Sequence, residues 1–115
     1  MDMMLFKKED NLVTPLVIGG AEYGNVDTLG ESQGCPFDAG LSEYSVGTPV
    51  EFDHADYGCA IYMIDGALDV TDNSSGAVHA ESGDMFYIPQ RAGLKVTFST
   101  PAHARIFWIC YPHWH

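Results

Sequence analysis

Ala60-Ile61-Tyr62-Met63-Ile64-Asp65-Gly66-Ala67-Leu68-Asp69-Val70 is followed by Asp72-Asn73-Ser74-Ser75-Gly76, and then by Ser82-Gly83-Asp84-Met85-Phe86-Tyr87-Ile88-Pro89. An apolar run of strand length ends in Asp65-Gly66, a pair suited to a two-residue turn because glycine tolerates positive φ. A second short run leads into a polar turn, and Gly83-Asp84 bends the chain into a third. Pro89 closes that third run, since proline has no N–H to give to a strand ladder. The pattern predicts a succession of short antiparallel hairpins.

The same grammar extends in both directions. Residues 12–18 read as a strand stopped by Gly19-Gly20, and 39–44, 50–54, 77–79, 94–98 and 105–111 read as further strands. Residues 21–36 are rich in Gly, Asn, Asp, Ser and Pro and read as loop. Residues 1–11 read as a polar arm whose apolar cluster is Met3-Met4-Leu5-Phe6. No stretch keeps a helical period over three turns, so the expected fold class is all-β with no substantial helix. Short strands that each have one apolar face bury those faces only by closing or stacking, which predicts a barrel or sandwich. The expected organisation is an N-terminal arm and strand over 1–33, serving a dimer, and a barrel over 34–115.

Charge narrows the function. Sixteen Asp and Glu against five Lys and Arg give a net charge of −11. That balance excludes a nucleic-acid binder, which needs cations to displace phosphate counterions, and equally a partner of anionic membrane surfaces. Cys35, Cys59 and Cys110 form no Cys-x-x-Cys pair, and no apolar run has the length of a secretory leader or a bilayer span. The expectation is a cytoplasmic protein with free thiols.

Three phrases carry a family likeness: Pro36-Phe37-Asp38-Ala39-Gly40-Leu41-Ser42-Glu43-Tyr44; Tyr62-Met63-Ile64-Asp65-Gly66-Ala67-Leu68-Asp69-Val70; and Phe98-Ser99-Thr100-Pro101 with Ala104-Arg105-Ile106-Phe107-Trp108, Tyr111-Pro112 and Trp114. Together they resemble the cupin superfamily of RmlC-like jelly rolls, and within it the ethanolamine-utilisation EutQ type of cupin domain. The resemblance implies a double-stranded β-helix (jelly-roll) barrel and a link to bacterial ethanolamine breakdown and its protein-shelled microcompartment. It also implies a homodimer, because cupins commonly pair through their N-terminal strands and outer sheet. Leu5, Phe6, Val13, Leu16 and Val17 are the apolar residues of the arm that would cover a partner's sheet edge.

The resemblance further implies where a metal would sit. Cupins usually hold one with three histidines and a glutamate. With Gly66 fixing the register, those positions fall on Phe52, His54, Cys59 and Leu94, so His54 survives and a thiol replaces the carboxylate. Asp56, two residues along an extended strand, shares a side with His54. A His54, Asp56, Cys59 set is therefore the candidate site for a divalent metal (zinc, iron, manganese or nickel), although the expectation is that no cofactor is bound. His113-Trp114-His115 reads as an exposed tail, and His79 and His103 as surface residues.

The expected ligand pocket is Phe52, His54, Cys59, Tyr62, Leu94, Val96 and Phe98, an oily wall with a few polar handles. Cys59 beside His54 also raises a thiol–imidazole pair, while Cys35 and Cys110 are expected simply to pack. The leading functional expectation is a cupin that binds a small molecule or acts as an accessory protein. The alternatives are a metal-dependent lyase, isomerase or oxygenase using His54 with Cys59 or Asp56, and a structural dimer subunit.

Overall fold

The computed structural model describes residues 3–47 and 49–114. Its strands are β1 (Thr14–Ile18), β2 (Ala21–Leu29), β3 (Asp38–Ser45), β4 (Val50–Asp53), β5 (Gly58–Asp72), β6 (Ala77–Glu81), β7 (Met85–Ile88), β8 (Lys95–Ser99) and β9 (His103–Tyr111). Short 3-10 turns at Lys8–Asn11 and Glu31–Gln33 are the helical elements among the described residues. Every pairing is antiparallel, in the order β1-β2-β3-β9-β5-β8-β4, with β6 and β7 also on β5. The result is an all-β, nearly closed antiparallel barrel.

β5 is its spine. From Gly58 to Gly66 it pairs with β9, and from Cys59 to Tyr62 also with β7. Beyond Gly66 it pairs with β6 and β8. The expected Asp65-Gly66 hairpin turn is therefore corrected: the two apolar runs are one 15-residue strand. Met63 lies opposite Ile106 and Asp65 opposite Arg105, so Ile64 is the extra residue of a bulge. The bulge changes which parity faces inward. Cys59, Ile61 and Met63 are buried before it, and Leu68 and Val70 after it. Gly66 follows at φ 80°, and its backbone lies against the carbonyl of His103.

A second correction concerns residues 21–29, which form β2 rather than loop. Ala21, Tyr23 and Asn25 are buried, while the polar residues that suggested a loop fall largely on the other side of the strand. Gly19 and Gly20, both at positive φ, end β1 as the sequence predicts, and they do so by making a tight turn into β2. Leu16 packs on this chain's own core, whereas Leu5 and Val17 stay exposed.

Rings join the two sheets across the interior. Tyr23 stacks on Tyr44 at 5.2 Å between centroids and meets the edge of Phe52 at 5.6 Å. Phe52 meets Phe98 at 5.1 Å, and Tyr44 lies 5.6 Å from Phe98. Rings from β2, β3, β4 and β8 thus close the barrel with area burial plus aromatic geometry.

The bulge gives a direct test. An added Cβ at Gly66 meets the His103 carbonyl, whereas Gly83, at φ 92°, has nothing within 4 Å of such an atom. Gly66→Ala is expected to cost more than about 3 kcal/mol in urea unfolding, and Gly83→Ala about 1 kcal/mol, the strain of positive φ alone.

Candidate functional site

The inward faces converge on a cavity of about 40 Å³. Tyr23 and Asn25 on β2, Ser42 and Tyr44 on β3, Cys59 and Ile61 on β5, and Ile106, Trp108 and Cys110 on β9 reach it by the two-residue period of a strand. Phe52 and Phe98 close one side, His54 and Tyr57 come from the β4–β5 connection, and Trp114 comes from the segment after β9. The space suits a small molecule.

The wall is polar in places but uncharged. His54 is 2% exposed and its Nδ1 lies 3.0 Å from the Tyr57 carbonyl oxygen. A carbonyl can only accept, so Nδ1 carries the proton and Nε2 is the acceptor nitrogen. Burial holds the imidazole below its ordinary value of 6.5, against the opposing pull of that hydrogen bond, and the ring is neutral near pH 7. Burial likewise pushes the hydroxyls of Tyr23, Tyr44 and Tyr57 up, so all three remain protonated. None of the described lining residues is Asp, Glu, Lys or Arg.

The remaining polar wall groups form a chain. Trp108 Nε1 donates to Ser42 Oγ at 2.9 Å, Ser42 Oγ donates to Asn25 Oδ1 at 2.7 Å, and Asn25 Nδ2 donates to Asp27 Oδ1 at 3.2 Å. Trp114 Nε1 donates to the same Asp27 oxygen at 3.3 Å. No buried side-chain polar atom among the described residues lacks a partner, as the cost of a stranded donor in a low dielectric demands.

The tail is corrected from exposed to clasped. Asp38, 5% exposed, accepts from His113 Nδ1 at 2.7 Å and from the Trp114 backbone N–H at 2.8 Å. A buried carboxylate needs such donors, and they draw residues 113 and 114 onto the barrel. Trp114 then packs edge-on to Trp108 at 6.0 Å and forms part of the cavity wall. His115 lies outside the described residues. His79 and His103 are exposed, each hydrogen-bonded to an aspartate, Asp69 and Asp65.

Of the residues singled out from sequence, Phe52, His54, Cys59 and Phe98 stand together on the cavity wall. Tyr62 lies on the outer face of β5 at 41% exposure, and Leu94 and Val96 are buried in the core without lining the cavity. Cys59 is opposite Cys110, with the sulfurs 2.9 Å apart. The thiol contact of Cys59 is therefore with a second thiol, a pairing that 51 residues of sequence separation hides. Hydrogen bonding to Cys59 and then burial push the Cys110 thiol up, so it stays protonated.

The donor set does not fit a cupin metal. Two of the four ligand positions are Phe52 and Leu94, Nδ1 of His54 is committed to Tyr57, and Asp56 is exposed. Among the described residues no group of three His, Cys, Asp or Glu stands where it could hold a metal ion. No described helix is long and apolar enough to cross a membrane.

Comparison with known proteins places this geometry. Residues 23–115 match the family described as ethanolamine utilisation protein EutQ. A curated relative from Clostridioides difficile (strain 630), named acetate kinase EutQ, is 41% identical over 51 residues, covering 44% of this chain and 31% of that protein. The solved EutQ protein of Clostridium difficile is 28% identical with a TM-score of 0.68, over 79% of this chain and 63% of that one. The Cnp3 cupin domain of Schizosaccharomyces pombe, 15% identical, has a TM-score of 0.66 over 78% of this chain and 61% of that one. At that last identity the likeness is one of fold, and the fold is a cupin barrel. This chain spans under a third of the curated relative and under two thirds of the solved one.

The buried imidazole yields a pH test. A folded-state value below 6.5 means the unfolded chain binds the proton more readily, so the stability tied to neutral His54 is present above pH 6.5 and is lost as pH falls through the lowered value. His79 is raised by Asp69 and contributes with the opposite sign, but it is common to both proteins in the comparison. Urea unfolding between pH 7 and about pH 5 is expected to show the wild type losing stability relative to His54→Gln.

Proposed function

This chain belongs to the EutQ family of ethanolamine utilisation proteins, whose description matches residues 23–115, and on that premise we propose that it serves that process as a small-ligand-binding cupin that works without a barrel metal. The observation that carries this reading is the uncharged cavity, with three protonated tyrosines and one neutral imidazole set among aromatic walls. Such a wall orients a ligand by a few hydrogen bonds and excludes larger or charged ones. The ligand is a small, uncharged, hydrogen-bonding molecule, with His54 Nε2 as the acceptor and tyrosine hydroxyls as donors.

The acetate kinase activity in the name of the curated relative is phosphoryl transfer, which depends on cations that neutralise developing charge. The cavity wall offers none, and this favours binding over phosphoryl chemistry for this segment. A thermal-shift series tests the reading, because a ligand of the folded state raises Tm by mass action. Acetamide and ethanol at millimolar levels are expected to raise Tm more than acetate or ethanolammonium, equally with EDTA or with added zinc, manganese or nickel. Stabilisation only by the charged probes, or only with metal present, would show the reading to be wrong.

The partner in this proposal is a second copy. On the outer face, Met85, Tyr62, Phe107 and Leu41 form one row across β7, β5, β9 and β3, and Tyr87, Ala60 and Ile109 occupy the next register row. Met85 is 71% exposed, Tyr87 68%, and Tyr62 and Phe107 41% each. A contiguous apolar face on a chain of net charge −11 suits its own copy, since an isologous pairing covers the patch on both subunits at once. Sedimentation at micromolar concentration is expected to show a dimer, and Tyr62→Lys a monomer that melts as a folded protein.

A further inference from the structure

The cavity wall contains a feature that ligand binding does not use. Cys59 on β5 and Cys110 on β9 are directly opposite each other, both buried, with their sulfurs 2.9 Å apart. Both thiols border the cavity, whose rim includes half-buried Trp114, so a molecule small enough to enter the space reaches them. We propose that Cys59 and Cys110 are a modification site, closing to a reversible disulfide across β5 and β9 when a small hydroperoxide enters the barrel.

Backbone geometry supports the closure. Directly opposed residues of an antiparallel pair have Cα atoms about 4.5–5.5 Å apart, inside the roughly 4.4–6.8 Å range that disulfides span. The sulfurs need to approach from 2.9 Å to a bond length of about 2.05 Å, a shift of less than an ångström. No strand has to move to a new register, because β5 and β9 already pair over Gly58–Gly66.

The chemistry balances with a hydroperoxide as the oxidant. Cys59 Sγ attacks the O–O bond, its thiol proton goes to the departing oxygen, and water or an alcohol leaves. Cys59 is then a sulfenic acid, oxidised by two electrons, and the peroxide is reduced by two. Cys110 Sγ attacks that sulfur, the S–O bond breaks, and the hydroxyl leaves with the Cys110 proton as water. In sum, two thiols and one hydroperoxide give one disulfide and two molecules of water, or water and an alcohol. The same balance holds with the two cysteines exchanged, since either sulfur can be the donor in their contact. A small external dithiol reverses the bond by exchange. Closure replaces two S–H groups of the wall by an S–S bridge and ties together two of the strands that line the cavity. The proposal stands whether or not the cavity also takes the neutral ligand described above.

The test is peptide mapping and intact mass on the full chain treated with hydrogen peroxide, quenched, and alkylated under denaturing conditions. Cys35→Ser is run beside the wild type so that half-buried Cys35 cannot supply an intermolecular bridge. Both proteins are expected to lose two alkylatable thiols and about 2 Da before alkylation, with the peptide of residue 59 linked to that of residue 110 and restored by dithiothreitol. Cys59→Ser and Cys110→Ser are expected to show no intrachain link. The proposal is overturned if both cavity thiols stay alkylatable at peroxide levels that oxidise Cys35. It is overturned equally if either cavity thiol goes to the sulfinic acid without bridging.

Discussion

The structure depends on one residue that has no partner. Ile64 sits in the β5–β9 ladder without an opposite number, and the register on either side of it differs by one. A strand of constant parity would send residues 68 and 70 outward, with the face of Cys59, Ile61 and Met63 inward. The bulge instead buries both sets and lets a single strand serve two sheets. Gly66 absorbs the bend at positive φ, and the β6–β7 turn is pinned to the same place, with Gly83 N–H bonded to the Met63 carbonyl and Met63 N–H to that of Asp84. The half of β5 before this point gives Cys59 and Ile61 to the cavity, and the half after it buries Leu68 and Val70 in the core.

What fills the barrel follows from the positions where cupins usually place metal ligands. A carboxylate at position 59 would need a cation, since an isolated buried charge is costly. A thiol there needs only a weak partner, and Cys110 supplies it at 2.9 Å. Phe52 in place of a ligand joins the ring cluster that closes the two sheets. His54 commits Nδ1 to the Tyr57 carbonyl and stays neutral by burial. The −11 charge of the chain thus lies outside a cavity whose lining carries none.

The sequence made much of this legible, for physical reasons that also mark its limits. Turns announced by Gly19-Gly20, Asp72 to Gly76 and Gly83-Asp84 appear where glycine and Asx chemistry put them, with Asp72 Oδ1 accepting from Ser74 and Gly76. Asp65-Gly66 misled because a glycine at positive φ serves a bulge as well as a turn, and local sequence does not separate the two. β2 was hidden because polar residues on its outer side and buried Asn25 resemble loop composition. In the site, Phe52, His54 and Cys59 were singled out through the cupin resemblance and Phe98 as an inner-face apolar residue, and all four stand on the cavity wall. Tyr23, Ser42, Trp108 and Cys110 were not, since they join the wall only through pairings between distant strands.

The C-terminal clasp shows why such a cavity needs more than its barrel. Rings from the strands line part of the space, and Trp114 joins them from a tail held by Asp38, by the Asp27 carboxylate and by packing on Trp108. Asp38 begins β3 opposite Cys110, so the carboxylate that fixes the tail belongs to the same cross-strand pair as one of the cavity thiols. A change at position 38 therefore acts on the wall twice, by removing the carboxylate contacts of residues 113 and 114 and by altering the field at Cys110, which the Asp38 charge helps to keep protonated. Seating the tail and raising the Cys110 thiol both involve one buried carboxylate that has found donors, and the site is coupled to the end of the chain through it.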